Sequence, residues 1–132
     1  MKVIVVGSKD WEDYPTLSRK MAVLMEDWVY QNPEDKTLTI VHAGNRGAEN
    51  MVTEFIGKVE RLVKQNGYSI KEKVYSIKTF TGNNPMIARD SKMLEDGADR
   101  VLVFQRGECK RSQALSKLSE AYGIKTEVVK TH

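Results

Sequence analysis

The sequence predicts an α/β domain of three layers, with a mostly parallel five-stranded sheet between helices. Three observations predict it. Short β-branched runs alternate with longer stretches of helical periodicity along the chain. The first run, Val3 to Val6, is continuously apolar, as in a strand covered on both faces. Glycine-containing or basic segments follow several of the strands. No repeat, low-complexity stretch or linker interrupts the pattern, so residues 1–132 read as a single domain.

Each element follows from local signals. After the Val3 to Val6 strand, Tyr14-Pro15 opens a helix, because proline is tolerated in a first turn. Leu17, Met21, Leu24 and Trp28 form its apolar stripe, and Asn32-Pro33 ends it. Leu38 to Val41 is the second strand. Ala48, Val52, Phe55, Ile56, Val59 and Leu62 mark a second helix, closed by Asn66-Gly67. Lys73 to Ile77 reads as a weaker strand. Asn84 is placed to cap a short helix from Pro85 to Glu95, with Met86 and Met93 packing inward. Arg100 to Phe104 is another buried strand. The last helix carries Leu115, Leu118 and Tyr122, with Gly123 at its C-terminal cap. Thr126 to Val129 is the final strand. The arrangement is Rossmann-like, and ligands of such sheets bind beyond the carboxyl ends of the strands.

Composition narrows the function. The chain is 40% hydrophobic and 30% charged, a globular balance. A formal charge of +3 falls short of a dedicated nucleic-acid binder. Cys109 is the single cysteine, which excludes an internal disulfide and a cysteine metal cluster. The two histidines and scattered carboxylates show no metal spacing, and no cofactor or metal is expected. The N-terminal apolar run is too short for a signal peptide, and no segment approaches the roughly 20 apolar residues of a membrane span. The expected location is cytoplasmic.

Four segments fall at predicted strand ends. His42-Ala43-Gly44-Asn45-Arg46-Gly47-Ala48 follows a strand and opens a helix, where glycines and free N–H groups suit an anion. Gly44 and Gly47 either serve a ligand or only make a tight turn. The spacing is neither a dinucleotide fingerprint nor a Walker A loop. Arg106, Gly107, Lys110, Arg111 and Ser112 surround a helix start, where cations are disfavoured unless an anion binds. A solvated basic loop is the competing reading, and Ser112 either caps the helix or donates to the anion. Arg89 and Met93 share one helix face. Arg89 thus either points into the crevice or pairs with Asp90, Glu95 or Asp96 on the surface. Gly7 and Ser8 end the first strand, Asp10 is placed to cap a turn, and Trp11 either stacks on a base or packs on the first helix. His42 reads as a core or turn histidine, His132 as a mobile terminal residue, and Cys109 as an incidental thiol whose thiolate neighbouring cations favour.

Together these segments resemble the SLOG superfamily, which includes the LONELY GUY phosphoribohydrolases and the DNA-processing protein A family. The likeness is to small bacterial and phage members. Their Gly-Ser-Arg-Asp-Trp start is Gly7-Ser8-Lys9-Asp10-Trp11 here. Their Gly-Gly-Ala-Arg-Gly-Ala-Asp loop is Ala43-Gly44-Asn45-Arg46-Gly47-Ala48-Glu49, and their Arg-Asn-x-x-Met helix is Arg89-Asp90-Ser91-Lys92-Met93. A strand after Gly97-Ala98-Asp99 completes the order. The late Gly-Gly-x-Gly-Thr loop is degraded here, with Ser112 in the threonine place and Arg111 where a glycine is expected. The phosphoribohydrolase glutamate is replaced by Leu115. The resemblance therefore implies ligand binding more strongly than catalysis, and it implies pairing of copies through helices beside the site, to which Met25 or Tyr30 would contribute.

The expected function is binding of a nucleotide-type ligand: a nucleoside monophosphate, or an ADP-ribose-like or cyclic-nucleotide-like molecule. Its expected contacts are Gly7, Ser8, Asp10, Trp11, Gly44, Asn45, Arg46, Gly47, Arg89, Asp90, Arg106, Gly107 and Ser112, with Trp11 or Phe80 covering the base. One alternative is an N-glycosidase using Asp10, Asp90 or Glu49 as its carboxylate. The other is a single-stranded nucleic-acid binder tracking a backbone along Lys20, Lys58, Arg61, Lys64, Lys110 and Arg111.

Overall fold

The computed structural model describes residues 1–131, so the expectation for His132 lies outside the described residues. The chain runs β1 (Lys2–Gly7), α1 (Tyr14–Gln31), β2 (Thr37–His42), α2 (Ala48–Gln65) and β3 (Ser69–Val74). A single 3-10 turn (Ile77–Thr79) leads on to α3 (Pro85–Glu95), β4 (Arg100–Arg106), α4 (Lys110–Ala121) and β5 (Lys125–Thr131). The five strands form one sheet in the order β3-β2-β1-β4-β5. Every neighbouring pair is parallel. This is the α/β three-layer architecture expected, with a wholly parallel sheet.

Strand alternation explains the two cores. Val3 and Val5 of β1 join Leu38, Ile40, Leu102 and Phe104 on one face, covered by the Leu17, Met21, Leu24 and Trp28 stripe of α1 and by α2. Ile4 and Val6 point the other way, with Val41, Val101 and Val103, under Met93 and Leu94 of α3 and Leu115 of α4. The strand order reverses at β1. The chain builds outward to β3 under one helix layer, then returns to β4 under the other. The carboxyl ends of β1, β2 and β4 therefore meet at the switch point, where open sheets of this kind hold ligands.

The caps follow the sequence signals. Asp13 accepts from the Thr16 N–H at 3.0 Å and from its hydroxyl at 2.6 Å, which fixes the start of α1. Asn84 accepts from the Ile87 N–H at 3.2 Å and starts α3. Asn66-Gly67 and Gly123 close α2 and α4. Four expectations change. β3 spans Ser69–Val74 rather than starting at Lys73. As an edge strand it needs no apolar run, so Lys71, Glu72 and Lys73 hide it, while Ile77 lies in the 3-10 turn. Leu62 is 62% exposed, and Val63 takes the buried place in α2. On α4 the buried face is Ser112, Leu115 and Ser119, which leaves Leu118 and Tyr122 outward. Met86 is likewise exposed while Met93 is buried, since the inward face of α3 is Arg89, Asp90, Met93 and Leu94.

Among the described residues, no helix is long and apolar enough to cross a membrane.

Candidate functional site

The loops at the switch point are braced by one residue. The Ser8 N–H donates to the Phe104 carbonyl at 2.9 Å, and the Ser8 hydroxyl accepts from the Arg106 N–H at 3.0 Å. The Ser8 carbonyl accepts from the N–H groups of Trp11 and Ala48. Ser8 is buried, and these bonds tie β1, β4 and α2 together. Gly7 and Gly47 serve the same packing. A Cβ on Gly7 would stand 2.2 Å from that of Ala48. One on Gly47, whose φ is +83°, would stand 2.4 Å from the Ser8 carbonyl oxygen. Gly7 makes room for the first residue of α2 and Gly47 for the backbone after β1. Trp11 is 1% exposed and meets Phe104 edge to face at 5.3 Å, which leaves no face for a base. Phe80 stacks instead on Tyr75.

Gly44, Asn45 and Arg46 are different. Gly44 and Arg46 are exposed, Asn45 is half-buried, and Gly44 takes a φ of +74°. The Gly44 N–H donates to His42 Nδ1 at 2.9 Å. The other ring nitrogen, Nε2, lies 2.6 Å from Glu72, whose carboxylate also accepts from the Thr53 hydroxyl. His42 is thus the buried turn histidine the sequence suggested. Burial works to raise the Glu72 carboxyl, but Thr53 and His42 outweigh it and hold Glu72 below its usual range.

Next to this loop lies a run of buried charges. The Ala43 N–H donates to Glu49 Oε1 at 2.8 Å, and Arg111 Nη1 donates to Glu49 Oε2 at 3.1 Å. Arg111 Nε and Nη2 then grip the two oxygens of Asp90 at 3.0 and 3.1 Å. Arg89 Nε completes the run on Asp90 Oδ1 at 3.1 Å. Glu49 is 0% and Arg89 2% exposed. Burial disfavours the charged Arg111, but Asp90 and Glu49 more than compensate and hold it protonated. The surface reading of Arg89 is therefore overturned in burial, though Asp90 is its partner. The sequence offered Glu49 and Asp90 as separate carboxylates and Arg111 as a loop cation. Their union through Arg111 was not legible, because it joins α2, α3 and α4.

Two buried side-chain nitrogens have no partner among the described residues: Arg89 Nη2 and Asn45 Nδ2. Both are donors sealed from solvent; Arg89 is the last member of the run, and Asn45 lies two residues beyond Ala43 in the loop. A cleft of about 380 Å³ between α3 and α4 opens onto the same run, with Asp90 and Arg111 on its lining. Its apolar walls are Met86, Ile87, Ala114, Leu115 and Leu118.

The loop after β4 is largely self-satisfied. Arg106 Nη1 donates to the Asp10 carbonyl at 2.8 Å, and Gln105 Nε2 donates to the Gly107 carbonyl at 2.9 Å. The Asp10 carboxylate is solvent-exposed. Cys109, not Ser112, holds the cap position of α4, and the buried Ser112 hydroxyl donates to its sulfur at 3.1 Å. Burial raises the Cys109 thiol; hydrogen bonds from the Ser112 and Ser8 hydroxyls and the Ser112 and Arg111 N–H groups outweigh it and lower it. The sulfur thus takes the donors that a phosphate would use at this helix start. Of the cations proposed to track a nucleic-acid backbone, Lys20 pairs with Glu127 and Lys58 with Glu54, while the half-buried Arg111 is held by Glu49 and Asp90. Among the described residues no cluster of three or more metal-ligating side chains occurs.

Compared with family models, curated proteins and solved structures, the chain matches none. The fold and the site define a parallel α/β domain of Rossmann-like architecture with a charged crevice at its switch point.

Proposed function

We propose that this protein binds a nucleotide-type ligand at the switch-point crevice, with acceptor oxygens of the ligand meeting Arg89 and Asn45. The observation that carries this reading is the pair of buried donors without an acceptor. A buried guanidinium nitrogen left unpaired costs about 1–3 kcal/mol or more, so a ligand oxygen that came to it would be stabilised by that much. The cleft between α3 and α4, mostly apolar with Asp90 and Arg111 in its lining, suits a base or ribose. The resemblance to SLOG proteins supports the same site through Arg89 and the Gly44 to Gly47 loop. In this reading Arg46 at the rim attracts the anion, and Gly44 lets the loop approach it.

Calorimetric titration with nucleoside monophosphates, cyclic nucleotides and ADP-ribose tests the proposal. At least one binds, and Arg89→Lys, which keeps the charge but loses the planar fork, weakens it about tenfold or more. Absence of binding across the set, or binding unchanged in Arg89→Lys, contradicts it.

A second reading has a specific observation in its favour. Glu49 and Asp90 stand in one run of contacts, as a glycosidase would need for its carboxylate. Each is engaged by arginine, and Leu115 lines the cleft beside them. Incubation with nucleoside 5′-monophosphates and chromatography for free base separates the readings: base release that Glu49→Gln abolishes favours the enzyme.

A further inference from the structure

We propose that His42 is a proton-operated latch on the loop from Gly44 to Arg46: the neutral ring holds the loop through the Gly44 N–H, and the protonated ring releases it. The latch stands apart from the nucleotide reading, because it holds the loop whatever the crevice binds.

The contacts fix where the ring carries its hydrogen. The Gly44 N–H can only donate, so Nδ1, 2.9 Å away, offers its lone pair. Nε2 lies 2.6 Å from a Glu72 carboxylate oxygen, which accepts, so Nε2 carries the hydrogen. A second proton, taken from solvent, has only Nδ1 to go to. The lone pair there is in use, so Nδ1 is protonated only when the Gly44 N–H lets go. Once charged, the ring presents an N–H to an N–H, and the two donors repel. Gly44 and the burial of the ring, which is 1% exposed, favour the neutral form, while Glu72 favours the imidazolium.

The surroundings leave this balance to a few groups. β3 supplies Glu72. Lys71 and Lys73 alternate to the opposite face of that strand, where Lys73 lies over the Tyr75 ring. α2 supplies the Thr53 hydroxyl, which donates to the Glu72 carboxylate and lies 3.4 Å from Nε2. It also supplies Glu49, whose oxygens are taken by the Ala43 N–H and by Arg111. β1 brings only the apolar run from Val3 to Val6 alongside β2. The loop itself carries Arg46, which is exposed. The release is confined on both sides. Glu49 keeps the Ala43 N–H, and Gly47 is packed against the Ser8 carbonyl. Only the segment between them, with Gly44 exposed at a φ of +74°, is free to move. Histidine is the side chain whose charge ordinarily changes between about pH 5 and 8, so a latch of this kind works without extreme conditions.

An NMR pH titration of the isotope-labelled protein tests the latch. At the alkaline end His42 is expected as the Nε2–H tautomer, with the Gly44 amide protected from hydrogen exchange. As the pH falls, the His42 ring and the Gly44 amide are expected to shift with one midpoint, and Gly44 protection drops about tenfold. The Gly107 amide, which donates to the Thr131 carbonyl at 3.0 Å, keeps its protection through the same range and reports that the fold is intact. Glu72→Gln, which removes the carboxylate, moves the shared midpoint to lower pH. His42→Gln leaves the Gly44 amide unresponsive to pH; should it fail to fold, Glu72→Gln carries the test. A ring found as the Nδ1–H tautomer overturns the latch, as does a Gly44 amide that does not follow the ring. So does a ring that stays neutral until Gly107 also loses protection. A midpoint unmoved in Glu72→Gln overturns the part given to that carboxylate.

Discussion

The two faces of the sheet are built differently. The face under α1 and α2 is a conventional apolar core: Trp28 is fully buried, donates from its indole nitrogen to the Asp35 carbonyl at 2.8 Å, and meets Tyr68 edge to face. The face under α3 and α4 is thinner. It buries Met93, Leu94 and Leu115, places Arg89, Asp90 and Arg111 near the strand ends, and leaves Met86, Ile87 and Leu118 in solvent. A buried ion pair is weak support for a fold, since well-packed apolar residues often serve as well or better. Both faces bury an apolar core, and the second adds charged groups that apolar packing could have replaced.

Substitutions on each face sharpen that contrast. The largest effect is expected at Trp28: Trp28→Ala loses about 3–5 kcal/mol in chemical denaturation, while the folded fraction keeps its nucleotide affinity. A loss of affinity without a loss of stability would break the division. Glu49→Ala removes one member of the buried run and leaves Arg111 half-compensated, with an expected loss of about 3 kcal/mol in the same measurement. A loss below about 1 kcal/mol would mean that the run is not a cooperative unit.

Acid is the next probe. Glu72 is lowered in the folded state from its ordinary 4.5. Its contribution to stability is therefore complete above about pH 4.5 and disappears as the pH falls through the lower folded-state value. Asp96 behaves alike: hydrogen bonds from the Tyr75 hydroxyl and Lys92 hold it below 3.8. Glu72→Gln should flatten the acid limb of a stability-versus-pH curve; an unchanged limb assigns the acid sensitivity elsewhere. The smallest effect on stability is expected at the cleft wall. Leu118→Ser changes stability by no more than about 0.5 kcal/mol yet weakens nucleotide binding in calorimetry.

The fold was legible because its signals are local. The Val3 to Val6 run, the Leu17 to Trp28 stripe and the caps at Asn84, Asn66-Gly67 and Gly123 are each set by neighbours along the chain. Edges were less legible: β3 pairs with one neighbour only and carries no apolar run. The candidate site was legible in place more than in role. Gly7, Ser8, Gly47 and Trp11 do lie at the switch point, but as packing and bracing, because nothing in a single sequence separates a glycine that admits a ligand from one that admits a helix. Arg89 was legible through its face shared with Met93. The bridge from Glu49 through Arg111 to Asp90 joins three helices and has no sequence signature.

The most direct test of the central claim is a crystal structure with the tightest-binding nucleotide. The account predicts a ligand oxygen within hydrogen-bond distance of Arg89 Nη2, the Asn45 amide turned to the same ligand, and the base between α3 and α4. A ligand seated on the α1 and α2 face, or bound with Arg89 Nη2 still unpartnered, would contradict it.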